Sequence, residues 1–160
     1  MADPVETARR YDDAFNAQDA DARAANLTPD TQVTLPGGTT LSGPEQVVAI
    51  ARTFWEALPD GRISSEHEVA AGESVVTEGT LTGTHTGKFR NPQGDIPASG
   101  NRVALRYVSV KQIRDGKVAV ERLYFDQLEF LHRSGRCRQR KNGDVQTIHD
   151  RRELVQNGAR

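Results

Sequence analysis

NRVALRYVSVKQIRDGKVAVERLYFDQLEFLHRSG, residues 101–135, decides the fold. It reads as a long strand, a tight turn at Asp115-Gly116, a return strand and a short amphipathic helix. Asp-Gly between two runs rich in Val, Ile, Leu and Tyr is a strong hairpin signal. Near the end of the return strand, in Tyr124-Phe125-Asp126-Gln127, stands a carboxylate. Strict alternation puts Arg122, Tyr124 and Asp126 on one face and Glu121, Leu123 and Phe125 on the other. Aspartate is depleted from strands, so an aspartate at the tip of an aromatic-rich one is read as facing a cavity. On that reading Arg122, Tyr124 and Asp126 point inward.

Upstream, the period is helical first and two-fold later. Asp3-Pro4 opens a helix over residues 4–18, with Val5, Ala8, Tyr11 and Phe15 at helical spacing. A short alanine-rich helix follows from Asp19 to Asn26. Thr31–Leu35 is a strand that ends in the turn Pro36-Gly37-Gly38. Ser42 caps a third helix whose apolar face runs from Val47 through Phe54, Trp55 and Leu58. Arg62–Ala71 and Glu73–Thr84 alternate as strands, and a polar loop from Lys88 to Gly100 leads into the hairpin. Helices first and strands after predict an α+β fold: a cone-shaped, curved, mostly antiparallel sheet with helices packed on its concave face. The interior of such a cone is a natural pocket, for which roughly a few hundred Å³ is the expected size.

The 160 residues suffice for one domain with a sizeable core. Residues 1–134 are expected to form it. Residues 135–160, basic and poor in large apolar groups, read as a disordered or loosely helical tail. With 21 Lys and Arg against 22 Asp and Glu, the net charge of -1 exerts no overall pull toward nucleic acid. The basic tail lacks aromatic residues that would stack on bases, so nucleic acid is not expected as a partner. No apolar run reaches membrane-spanning length, so no membrane partner is expected. A single cysteine, Cys137, precludes an internal disulfide and suggests a cytoplasmic setting. Four scattered histidines lack ligand spacing, and no metal is expected.

Four motifs carry a family resemblance: Gly83-Thr84-His85-Thr86-Gly87-Lys88-Phe89, Ile96-Pro97-Ala98-Ser99-Gly100-Asn101-Arg102-Val103, Arg114-Asp115-Gly116-Lys117-Val118 and Phe125-Asp126-Gln127-Leu128. With the opening helix Arg9–Asp19, they resemble the SnoaL-like polyketide cyclases and the related ester cyclases of the nuclear transport factor 2-like superfamily. The resemblance covers residues 4 to 134 and implies the cone fold. It also implies an enzyme of secondary metabolism that closes or isomerises a small hydrophobic or aromatic carbonyl compound by acid/base chemistry, with no cofactor. Asp126 matches the family's acid/base aspartate. His85 is the candidate second catalytic group.

The candidate substrate-binding residues are Tyr107, Ser109, Tyr124, Arg122, Trp55 and Tyr11. Tyr107 and Ser109 stand where the archetypal cyclase has a glutamine and a histidine, and Val33 aligns with its early pocket asparagine. Ketosteroid isomerases share Tyr11, matching their oxyanion tyrosine, but Leu35 occupies the position of their general base. Limonene-epoxide hydrolases need an Arg-x-Asp that this chain lacks, since Ala104 follows Arg102 and Val108 follows Arg106. The alternative reading is a non-catalytic domain on the same fold that binds a small molecule or dimerises. Val108, Val110, Leu123 and Phe125 on the outer sheet face suggest a homodimer.

Overall fold

A computed structural model describes residues 3–90 and 94–133. The basic tail lies outside the described residues. Three helices and six strands follow in the order α1 (Pro4–Asn16), α2 (Ala20–Ala25), β1 (Leu27–Thr34), β2 (Thr40–Ser42), α3 (Gly43–Ala57), β3 (Arg62–Ala71), β4 (Ser74–Thr84), β5 (Arg102–Arg114) and β6 (Lys117–Phe125), before a closing helix α4 (Gln127–Arg133). The strands form one curved sheet in the order β2-β1-β6-β5-β4-β3. Only β1 and β6 pair in parallel; the other neighbours are antiparallel. This is the α+β cone expected from the sequence.

Local chemistry explains the helix starts. The Asp3 carboxylate accepts the Val5 N–H at 3.0 Å, and Pro4, which has no N–H to leave unsatisfied, takes the first helical position. α2 is capped in the same way by Asp19, which accepts from Ala22. Ser42 stands at the start of α3 but makes no side-chain cap; instead the Gln46 side chain accepts the Ser42 N–H at 2.9 Å. The N–H that a capping box would satisfy from the third helical position is satisfied here from the fourth.

Two differences from the sequence reading matter. The first concerns β1, which begins at Leu27 and runs through Pro29, where the sequence suggested a start at Thr31. Pro29 is tolerated because the β1–β6 register breaks between Leu27 and Gln32. β2, unanticipated, then folds back on β1 after the Gly37-Gly38 turn, where both glycines have φ of 87°.

The second difference decides the site. A bulge between Gln112 and Ile113 places both Val118 and Ala119 in the interior. From Ala119 onward the inward side chains are Glu121, Leu123 and Phe125, and the outward ones Arg122 and Tyr124. The sequence-based assignment of the two faces of β6 is therefore reversed. A second bulge lies between Ser65 and His67, and His67 is exposed.

Two apolar clusters fill the cone. One joins Phe15, Trp55, Leu58, Leu81, Leu105 and Phe130; the other joins Ala8, Tyr11, Leu27, Val33, Val75, Ile113 and Val118. The outer face leaves Val69, Val76, Val108 and Tyr124 exposed. Leu123 and Phe125, expected there, face inward.

Candidate functional site: a charged floor in an apolar cone

Between the two clusters lies a cavity of about 100 Å³. It is smaller than the few hundred Å³ expected from the sequence. Its walls are apolar, among them Leu35, Leu41, Ile50, Phe54, Leu81 and Leu105, while Tyr11, Asp12, Arg23, Tyr107 and Glu121 supply its polar groups.

These polar groups come from four elements, α1, α2, β5 and β6. Tyr11 and Asp12 belong to the buried stripe of α1 that also carries Ala8 and Phe15. Glu121 lies on β6 opposite Lys111 on β5, so the sheet register itself sets a cation beside an anion. Arg23 projects from α2, whose single turn and a half packs on α1. Ser109 and Lys111 share the inward parity of Leu105, Tyr107 and Ile113.

The charges form a connected set. Glu121 accepts the Tyr11 hydroxyl at 2.9 Å and the Ser109 hydroxyl at 2.7 Å, one on each carboxylate oxygen. Lys111, fully buried, donates to Asp12 at 3.0 Å and stands 4.0 Å from Glu121. Burying an ion is costly unless it is paired and hydrogen-bonded, and each of these three ions is. Desolvation pushes the Asp12 carboxyl above its ordinary value; Lys111 opposes that shift and Glu121 adds to it. Burial likewise pushes the Tyr11 hydroxyl well up, against the nearby Arg23 charge.

Tyr107 differs from its neighbours. Its buried hydroxyl has no hydrogen-bond partner; Ser65 lies close but outside hydrogen-bond geometry. Burial, then the charges of Asp12 and Glu121, raise its pKa, so it is a neutral donor at any physiological pH. Gly79 faces it across the sheet, where a Cβ would fall 2.7 Å from the tyrosine oxygen and 2.1 Å from the Ser64 carbonyl. Only glycine lets the Tyr107 side chain pass so close to β4.

Of the catalytic and substrate-binding candidates read from the sequence, Tyr11 and Tyr107 line the cavity, and Ser109 reaches it through Glu121. The rest do not. Asp126 is exposed, and its Oδ1 accepts the N–H groups of Leu128 at 2.9 Å and Glu129 at 3.1 Å, so it caps α4. The strand ends one residue earlier with Phe125 turned inward, which sends Asp126 out. Arg122 and Tyr124 occupy the outer face for the same reason. His85 is buried in the loop after β4, where Nδ1 sits 3.1 Å from the Ser99 hydroxyl and its carbonyl accepts from Ser99 and Gly100; it is not in the cavity lining. Trp55 is a core residue that donates to the Phe15 carbonyl at 3.1 Å.

Asp12, Glu121, Lys111 and Arg23 were missed, although two of them left a signal. Lys111 shares its strand parity with Val103, Leu105 and Ile113, and Asp12 lies one helical turn from Ala8 in an apolar stripe. Among the described residues, no three His, Cys, Asp or Glu side chains converge to hold a metal ion. No helix among them is long and apolar enough to cross a membrane.

Residues 5–133 match the family described as SnoaL-like polyketide cyclase. No curated protein matches the chain in sequence. Among solved structures, a candidate SnoaL-like polyketide cyclase from Jannaschia sp. CCS1 is 27% identical with a TM-score of 0.75, covering 84% of this chain and 93% of that one. AclR, a candidate hydroxylase from Streptomyces galilaeus, is 22% identical with a TM-score of 0.74, over 87% of this chain and 85% of that one. A protein of ketosteroid isomerase-like fold from Catenulispora acidiphila DSM 44928, solved with trimethylamine, is 17% identical with a TM-score of 0.67, over 81% and 92%. At those identities the last two speak for the fold alone.

Proposed function

The chain belongs to the SnoaL-like polyketide cyclase family, and from that premise we propose a cofactor-independent acid–base enzyme of cyclase or isomerase type, acting on a small apolar carbonyl compound inside the cone. One observation carries the reading. The buried Asp12 carboxyl, with its pKa raised, shares an apolar cavity with the unpartnered hydroxyl of Tyr107. Asp126, which the resemblance favoured, is exposed at the start of α4, so the acid/base role passes to Asp12.

In this mechanism the Asp12 carboxylate takes a proton from the carbon next to the substrate carbonyl. The C–H electron pair forms the enolate double bond, and the carbonyl π pair moves onto oxygen, which accepts the Tyr107 O–H. Isomerisation ends when Asp12 returns the proton to a different carbon. Cyclisation ends when the enolate carbon attacks a second carbonyl of the same molecule and the new alkoxide takes the proton from Asp12. Desolvation makes Asp12 a stronger base than a surface aspartate, while Lys111 keeps it ionised between turnovers. Glu121, with both oxygens committed to Tyr11 and Ser109, acts as a fixed anion.

A second reading, ligand binding without turnover, is favoured by the tight Asp12–Lys111 pair, which ties up the carboxylate. The exposed Val69, Val76, Val108 and Tyr124 are the surface through which we propose that two copies pair.

The test needs no knowledge of the natural substrate. Cyclohexanone incubated in deuterium oxide with the protein should exchange its α-hydrogens at a rate proportional to protein concentration, read by NMR. Asp126→Ala should keep that rate and lose about 0.5–2 kcal/mol of stability, the cost of an absent helix cap. Exchange no faster than in buffer, or exchange lost in Asp126→Ala, rejects the proposal.

A further inference from the structure

Arg23 is the one polar cavity residue whose function the acid–base scheme does not use. It is 9% exposed. One terminal nitrogen donates to the Tyr11 carbonyl at 2.9 Å, and the guanidinium stands 3.8 Å from the Tyr11 ring centroid and 5.2 Å from that of Phe15. These contacts hold the head rigidly against α1. Its Nε–H, by contrast, is buried and has no hydrogen-bond partner. Among the described residues no carboxylate stands within ion-pair distance of Arg23, whereas Lys111 has both Asp12 and Glu121.

A buried cation without a counter-ion and with an idle donor is an expensive arrangement. It becomes favourable when a ligand brings an acceptor that is itself negative, because charge-assisted hydrogen bonds are the strong ones. The two carboxylates nearby do not fill that role: Glu121 is held by two hydroxyls and Asp12 by Lys111. The walls around Arg23 are apolar, so the remainder of the ligand must be too.

We propose that Arg23 is the anion anchor of the cavity, receiving on its Nε–H a carboxylate oxygen of a small, otherwise apolar ligand. This deepens the reading above and rests on it, since both require that the cone admit a ligand. In the enzymatic scheme Arg23 then holds a second oxygen of the substrate while Tyr107 holds the one on which charge develops.

The full chain carries a built-in reporter. Trp55 is its only tryptophan, and its ring centroid lies 5.8 Å from that of Phe15, the ring beneath Arg23. Titration with benzoate and with neutral benzamide, followed by tryptophan fluorescence and checked by calorimetry, compares two ligands of one shape and different charge. Benzoate should bind about ten- to a hundredfold tighter, the range for a hydrogen bond to a charged group. Arg23→Gln should remove that preference and leave benzamide affinity unchanged, which also shows that the cavity is still folded. Arg23→Lys keeps the charge without the fork and should retain only a few-fold preference, deciding the matter if the glutamine variant does not fold. Equal affinities in the unaltered protein, or a preference that survives in Arg23→Gln or is undiminished in Arg23→Lys, overturn the anchor while leaving the cavity a ligand site. Binding of neither compound overturns both proposals.

Discussion

Replacing Asp12 with Asn lowers the rate of deuterium exchange into cyclohexanone by about 10²–10⁴, the usual contribution of a positioned acid/base group. Asparagine has the shape of aspartate and can still accept from Lys111 at the 3.0 Å position, so the contact survives and the proton acceptor does not. Lys111 also keeps Glu121 within 4.0 Å, which leaves its charge partly compensated. The variant should therefore fold, with tryptophan fluorescence and circular dichroism like those of the parent. An unchanged exchange rate in a folded Asp12→Asn protein would remove Asp12 from the chemistry and favour the binding reading.

The largest effect on stability is expected at Lys111. Lys111→Met keeps the stem and removes the charge, which leaves Asp12 and Glu121 buried without their shared cation. Breaking a buried pair from one side costs about 3–5 kcal/mol. The pH dependence of that loss has a definite sign. In the folded chain the Asp12 carboxyl is already raised by burial, and without Lys111, which opposes the shift, it rises further. A carboxyl with a folded pKa above its unfolded value favours the folded state most below the unfolded value, 3.8, and that advantage is lost as pH rises through the folded value. The deficit of Lys111→Met relative to the parent is thus largest at neutral pH and shrinks on acidification toward 3.8. Urea unfolding at pH 7 and pH 5 measures both. A loss under about 1 kcal/mol at pH 7, or a deficit that grows with acid, contradicts the account of the charged floor.

The sequence made the architecture readable because it depends on features local to the chain. The Asp115-Gly116 turn, the helical spacing of Ala8, Tyr11 and Phe15, and the alternation through β4 and β5 each act over a few residues. What failed was phase. The bulge at Gln112-Ile113 adds a residue to β6 relative to β5, and one residue exchanges the two faces of a strand. Nothing in Lys117–Phe125 marks that shift, since Glu121 and Arg122 are equally implausible as interior residues until their partners are known. Glu121 is the one inside because Tyr11 and Ser109, 110 and 12 residues away in sequence, supply a donor to each of its oxygens.

Asp126 misled for a related reason. Aspartate after a strand satisfies two grammars, a pocket acid and a helix N-cap, and the residues Gln127–Arg133 choose the second by folding into α4. Lys111 was the better clue. A charged residue on the apolar parity of an otherwise regular strand must find an opposite charge in the interior, and the helix packed over that strand carries Asp12 in its buried stripe. Arg23 could not have been found this way, because α2 is too short to show a face and its placement depends on how α1 and α2 meet.

The central claim is that the reactive carboxyl of this protein is inside the cone, on α1, where water is scarce. Carbon-detected NMR titration of the aspartate side-chain carboxyls, assigned with the Asp12→Asn variant, reads it directly and without a substrate. Asp12 should titrate above the ordinary aspartate value of 3.8. An Asp12 that titrates at or below that value would show that the Lys111 charge outweighs desolvation at this carboxyl, and would contradict the claim.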